Sequence, residues 1–280
     1  MKKTMLALVL AVAMILTTLC GAAVAEESKD LVLSLVGDVA TMYVYSRGSN
    51  INNQVLWHPY EALISKDADM NVIPLLAESW ETSEDGLTWT FHLRQGVKFH
   101  NGATLTAEDC LFSIRQNTYE WMWGAIDREN SYCEDENTLV VKTYEFYPAL
   151  ISMLSSECRI VCKAAWEEMG EDGYSRNPIG TGPYKFVEWV AGDSIMLERF
   201  DEYWGEPAYY TNLVYRFIVD DTTRSLSLEN GEIDMAQDLP ASQVEYLEMS
   251  GTVDIVSYPS LSMDYIGFNC QRAPFNDARV

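Results

Sequence analysis

Stretches patterned for strands and stretches patterned for helices take turns along this chain, and that alternation restricts its fold more than any other property. Residues 31–36 are an apolar run of strand length, suited to burial on both faces. Trp89, Phe91 and Leu93 alternate with Thr90, His92 and Arg94; Gln95-Gly96 then turns, 97–100 returns, and Asn101-Gly102 turns again. Thr106 with Asp109 three residues on is a capping pattern, opening a helix that faces Leu111 and Ile114 inward. Strands are expected at 138–143, 213–219 and 233–235, with a hairpin from 184–190 to 194–199 around Ala191-Gly192-Asp193. Helices are expected at 148–155, at 163–169 closed by Gly170, at 222–230 stopped by Gly231, and at 242–249. Two last strands fall near 253–258 and 263–269. Such an order is that of a mixed α/β protein.

The first 25 residues stand apart from that pattern. Lys2 and Lys3 precede an apolar run, and Ala23-Val24-Ala25 supplies the small residues of a signal-peptidase site, so residues 1–25 read as a signal peptide and Glu26 as the mature start. Lipidation at Cys20 competes with this reading, although Leu19 before it fits a lipobox poorly. Either route exports the protein, to the periplasm or the cell surface. Without Lys2 and Lys3, 17 basic residues face 42 acidic ones, a net charge of −25. That field excludes nucleic acid and anionic lipid as natural partners, and suits a protein dissolved outside the cell.

Five cysteines follow the leader: Cys110, Cys133, Cys158, Cys162 and Cys270. An odd number at irregular spacing is not a disulfide framework; they read mostly as buried small residues, with one bridge involving Cys133 still open. Catalytic and cofactor signatures are missing. There is no Gly-x-Ser-x-Gly elbow and no His-Glu-x-x-His pair, and Gly180-Thr181-Gly182 runs into Pro183-Tyr184-Lys185 where a phosphate loop needs Gly-Lys-Ser/Thr. His92 and His100 could meet across the hairpin, but a pair on a polar face with no third ligand reads as structural. No catalytic residue, metal site or cofactor is expected. A carbohydrate-active hydrolase stays open as an alternative, because carboxylates and aromatic side chains are abundant.

Four phrases, in order, carry a resemblance. The first is Pro74-Leu75-Leu76-Ala77-Glu78-Ser79-Trp80-Glu81, continued by Asp85-Gly86-Leu87-Thr88-Trp89-Thr90-Phe91 and by Leu93-Arg94-Gln95-Gly96-Val97-Lys98-Phe99-His100-Asn101-Gly102. The second is Ile179-Gly180-Thr181-Gly182-Pro183-Tyr184-Lys185-Phe186, and the third joins Tyr203-Trp204-Gly205 to Leu228-Glu229-Asn230-Gly231-Glu232-Ile233-Asp234. The fourth is Ile266-Gly267-Phe268-Asn269 leading into Pro274-Phe275-Asn276-Asp277-Ala278-Arg279-Val280. Together they resemble the peptide/nickel class, family 5, of extracellular solute-binding proteins. One departure is Thr41-Met42-Tyr43, where the family carries Leu-Asp-Pro.

The resemblance implies an α/β fold, a periplasmic-binding-protein-like class II clamp of two lobes, truncated to the first lobe and its small β-rich subdomain. It places the first lobe at 26–50 and 177–270, the subdomain at 51–176, and the start of the remainder at 271–280. It implies a monomeric receptor that captures a small solute, peptide foremost and otherwise a nickel chelate or sugar. The solute would pass to an ABC permease driven by ATPase subunits, after closure of the clamp. The half-wall of the cleft would come from Val36, Gly37, Asp38, Tyr265, Phe268, Asn269 and Cys270, with Tyr265 and Phe268 tending to core packing. Trp121 and Trp123 would stand near the hinge. Half a cleft would bind solute weakly or not at all.

Overall fold

The structure, a computed structural model, describes residues 29–45, 50–117, 124–258 and 265–279. The leader with Cys20, together with Trp121 and Trp123, lies outside the described residues. The chain forms β1 (Asp30–Leu35), α1 (Asn50–Leu56), β2 (Ile64–Lys66), β3 (Val72–Pro74), β4 (Ala77–Thr82), β5 (Thr88–Leu93) and α2 (Ala107–Gln116). There follow β6 (Ile126–Asp135), β7 (Thr138–Thr143), α3 (Leu150–Ser156), α4 (Lys163–Arg176), β8 (Tyr184–Val190), β9 (Ser194–Arg199) and β10 (Asn212–Phe217). Last come α5 (Asp221–Glu229), β11 (Met235–Ala236) and α6 (Ala241–Ser250). They fall into two compact units, divided between Asp238 and Leu239.

In the first unit the main sheet has the order β11-β1-β10-β9-β8. β1 runs parallel to both β10 and β11, while β8, β9 and β10 form an antiparallel meander. Leu33 and Leu35 of β1, Ile195 and Leu197 of β9, and Leu213 and Tyr215 of β10 are buried at every second position, so one face of this sheet enters the core. A second, wholly antiparallel sheet has the order β4-β5-β7-β6. Phe91, Leu93, Leu139 and Val141 fill its inner face under α2, which contributes Leu111 and Ile114. β2 and β3 pair as a short ribbon.

Local chemistry explains the joints. The Asp109 carboxylate accepts from Thr106 N–H at 3.0 Å, closing the expected capping pattern, and its other oxygen accepts from Lys163 N–H at 2.9 Å. One buried carboxylate therefore caps α2 and the start of α4. Gly170 breaks α4 with φ 69°, as its sequence position suggests, but a second helical stretch resumes and runs to Arg176.

Three expectations need correction. Residues 97–100 do not return along β5, because both edges of β5 are taken by β4 and β7; they close a small turn of their own, bridged between Lys98 and Thr104. His92 therefore lies by Glu81, at 4.0 Å, and His100 against Gly182. Cys133 is unpaired and half-buried, and every cysteine among the described residues is a free thiol. The third concerns the second unit: among its described residues, neither 253–258 nor 265–269 is a strand, because their backbones find no neighbouring strand to bond. That unit contains α6, ended by Gly251 in the left-handed region at φ 65°. Its later part carries the ring pair Phe268–Phe275 with centroids 4.7 Å apart.

Candidate functional site

β1 ends at Leu35, and Val36, Gly37 and Asp38 form the loop at its carboxyl end, beside the parallel strand β10. Ligands of open α/β sheets gather at such ends. Val36 and Gly37 are half-buried and Asp38 is exposed. Asp38 is nonetheless held: its Oδ1 accepts from Trp189 Nε1 at 3.0 Å and its Oδ2 from Gly192 N–H at 2.7 Å. Both carboxylate oxygens bind the tip of the β8–β9 hairpin, which fixes the loop to the far side of the meander.

The next residues are fastened from α1. The Asn52 side chain, fully buried, accepts from Ala40 N–H at 3.1 Å and donates to Thr41 O at 3.0 Å. Thr41-Met42-Tyr43 thus closes onto α1 through an amide, with Met42 wholly inside. Tyr43 and Tyr45 pack on Trp166 at ring distances of 5.6 and 6.0 Å, which anchors the loop on α4.

The Gly180–Tyr184 phrase passes against 58–59 and leads into β8, in the sheet that contains β1. A Cβ at Gly180 would stand 1.8 Å from Pro59 O, and one at Gly182 2.1 Å from His58 O, so both positions require glycine for close backbone approach. His100 stitches the crossing: its Nδ1 accepts from Gly180 N–H at 3.3 Å and its Nε2 lies 3.0 Å from Gly182 O. Burial lowers the pKa of His100 to about 4, which keeps the ring neutral with its proton on Nε2. Burial does the same to His58, also to about 4, where Tyr215 Oη approaches Nε2 at 2.6 Å.

The Tyr203-Trp204 phrase docks on Glu61. Its Oε1 accepts from Tyr203 Oη–H at 2.8 Å and its Oε2 from Trp204 Nε1–H at 2.9 Å. Burial raises the pKa of Glu61, opposed chiefly by those two donors. The contacts of both phrases lie within the fold and are architectural.

Tyr265, Phe268, Asn269 and Cys270 lie together on one segment of the second unit. Tyr265 and Phe268 are 84% and 60% exposed, against the expectation of core packing. Asn269 shapes a turn, with Oδ1 accepting from Gln271 N–H at 3.0 Å and its carbonyl accepting from Arg272 N–H at 3.0 Å. Cys270 is exposed. Sequence reading missed Trp189 and Asn52, the residues that hold the loop. A tryptophan on the outer end of an alternating strand was a signal for the first; nothing marked the second.

No group of three or more metal-ligating side chains occurs among the described residues, and no helix there is long and apolar enough to cross a membrane. An open cavity of about 580 Å³ touches Glu78, His92, Gln95, Asp135 and Glu136, on the four-stranded sheet, and none of the candidate residues lines it.

Residues 71–280 match the family described as bacterial extracellular solute-binding proteins, family 5 middle. A curated relative, the glutathione-binding protein GsiB of Pectobacterium atrosepticum, is 29% identical over 265 residues, covering 90% of this chain and 50% of its own length. Among solved structures, the transporter-associated periplasmic binding protein DppA from Helicobacter pylori, in complex with the peptide STSA, matches with a TM-score of 0.74 and 26% identity. It covers 79% of this chain and 49% of its own. MoaA of A. tumefacien R10, in complex with mannopinic acid, matches at 0.76 and 26%, covering 90% and 53%. The chain spans about half the length of these proteins, and its fold class is that of the two-lobed periplasmic binding proteins. On its sequence phrases, its topology and these matches, the chain belongs to the family 5 bacterial extracellular solute-binding proteins.

Proposed function

We propose that this chain belongs to an exported receptor that captures a small solute, peptide foremost, and hands it unaltered to an ABC permease. In this reading 26–50 and 177–270 build a main lobe, 51–176 a β-rich subdomain, and Val36, Gly37, Asp38, Tyr265, Phe268, Asn269 and Cys270 line half of the cleft. The observation that carries it is the likeness, over most of the chain, to a binding protein whose structure holds a peptide. The loop at the carboxyl end of β1 supports it, since Asp38 ties that loop to the β8–β9 hairpin and Asn52 ties the residues after it to α1. A non-peptide solute is the second reading, favoured by the equal likeness to the mannopinic-acid complex. The test is thermal unfolding of the chain with millimolar dipeptides, tetrapeptides, glutathione and sugar acids, followed by mass spectrometry of the solute. A raised midpoint with solute recovered intact is expected. Conversion of any solute, lost when one carboxylate pair is neutralised, would make the protein a hydrolase instead.

A further inference from the structure

Two arginines are buried among the described residues, and they differ in how their charge is met. Arg224, fully buried, donates to Asp221 Oδ1 at 2.6 Å and to the carbonyls of Ile218 and Asp238 at 2.9 and 3.1 Å, so its charge meets a carboxylate even though its Nε, like that of Arg159, has no partner. Arg159 is only 5% exposed, yet among the described residues no carboxylate lies within ion-pair distance of it. Its Nη2 reaches the neutral Asn53 Oδ1 at 3.3 Å, and its Nε has no partner. Its guanidinium lies 4.4 Å from the centre of the Trp57 ring, and that ring is 46% exposed. The charged or titratable groups that act on it are exposed Glu157 and the hydroxyls of Tyr60 and Tyr45, both kept neutral by burial.

An arginine does not shed its proton, and a buried guanidinium with no carboxylate in ion-pair reach, only the exposed Glu157 acting on it from farther off, is costly to the fold. In a chain with 42 acidic residues, leaving it unpaired is a property of this position and not of a shortage. Its main chain is fixed: Tyr45 Oη–H donates to Arg159 O at 2.9 Å, and the residue bridges to Ala62. A rigid fork of donors, an idle Nε–H and a half-exposed aromatic cover make a receptor for a planar anion, with Trp57 as the side from which it arrives.

We infer that Arg159, flanked by Asn53 and covered by Trp57, receives a carboxylate of the captured solute. The inference rests on the proposed solute-binding role and adds to it that the solute is an acid. Inorganic anions share the chemistry, so the experiment separates the two sources.

Midpoints of thermal unfolding would be measured for the full chain and its Arg159→Met and Arg159→Lys variants. The probes are glutathione, glutathione diethyl ester and sodium sulfate over matched millimolar ranges. Sulfate stabilises proteins generally, so each shift is read as the difference between the wild type and Arg159→Met. Without a probe, Arg159→Met is expected to unfold at or above the wild-type midpoint, because it removes a buried charge that has no ion-pair partner, at nearly constant volume. Glutathione is expected to raise the wild-type midpoint more than the ester or sulfate does, with apparent affinity falling about 30-fold or more in Arg159→Met and partly kept in Arg159→Lys. Failure of Arg159→Met to fold makes the guanidinium structural and overturns the inference. Equal binding of glutathione and its ester, or equal binding by Arg159→Met, overturns it while leaving solute capture intact. A sulfate response equal to that of glutathione reduces the site to one for inorganic anions and overturns the solute assignment.

Discussion

His100 joins Gly180 to Gly182 only while neutral, since its Nδ1 must accept and a protonated ring has no acceptor. Its pKa falls from 6.5 to about 4 on folding, with burial as the main cause. A base whose folded pKa is depressed contributes stability that is intact above the unfolded value and drains as the pH drops from 6.5 toward 4. The linkage relation gives a loss of about 2 kcal/mol at pH 5 and about 3 kcal/mol at pH 4, relative to pH 7.5. His58, also lowered to about 4, doubles the slope. Glu61 acts in the opposite sense, because its raised pKa lets the folded state take a proton first. Asp67, Asp85, Asp127 and Asp220, all lowered by hydrogen bonds to neighbouring groups, lose their contribution only below the usual carboxylate range. Urea unfolding at pH 7.5, 6, 5 and 4 isolates the histidine when wild type is compared with His100→Asn, whose amide oxygen keeps the contact to Gly180. Between pH 7.5 and 4, wild type should lose about 3 kcal/mol more than the variant. A difference that stays flat with pH would refute the reasoning.

Four further outcomes follow from the geometry. Gly182→Ala drives a Cβ into His58 O at 2.1 Å and should cost about 3 kcal/mol or more, read as a fall in the urea midpoint, or leave no folded protein. Trp204→Phe removes the indole donor from the buried Glu61 carboxylate, a loss of about 1–3 kcal/mol by the same measurement. Asp38→Asn leaves at least one of its two donors without an acceptor, so the Gly192 amide should exchange with deuterium faster while amides of β5 are unchanged. In the native protein Cys270 should react with a thiol reagent within minutes; buried Cys110, Cys158 and Cys162 should wait for unfolding, and Cys133, with its thiol pushed up to about 11, should be slow.

What the sequence disclosed was local. β5, β7, the β8–β9 hairpin and the helix opened by Thr106 were readable because period, cap and turn residues agreed in each. The Gly180-Thr181-Gly182 pattern showed where small residues stand, though not that 58–59 is what they pack against. β6 escaped notice, since its residues Ile126–Asp135 are mostly polar and its pairing to β7 supplies the order. α1 escaped as well: its seven residues contain three asparagines, and what it does depends on Asn52 meeting a loop before it. At the candidate site, Val36, Gly37 and Asp38 were placed by resemblance, but the grip of Trp189 and Gly192 on Asp38 joins residues about 150 apart and leaves no local trace. Arg159 has no periodic or motif signature either; its significance is the charge it fails to meet.

The main sheet places β1 between β10 and β11, and the side-chain contact from Asn212 to Asp30 spans 182 residues. The β8–β10 meander closes on neighbours a few residues away, so it has the means to assemble early. β1 does not. From the moment it leaves the ribosome, its apolar run waits for a docking edge made from the far end of this unit, and it remains a sticky ribbon throughout that interval. A binding partner that sequesters residues 30–35 during synthesis would therefore delay the main sheet while leaving the four-stranded sheet free to form.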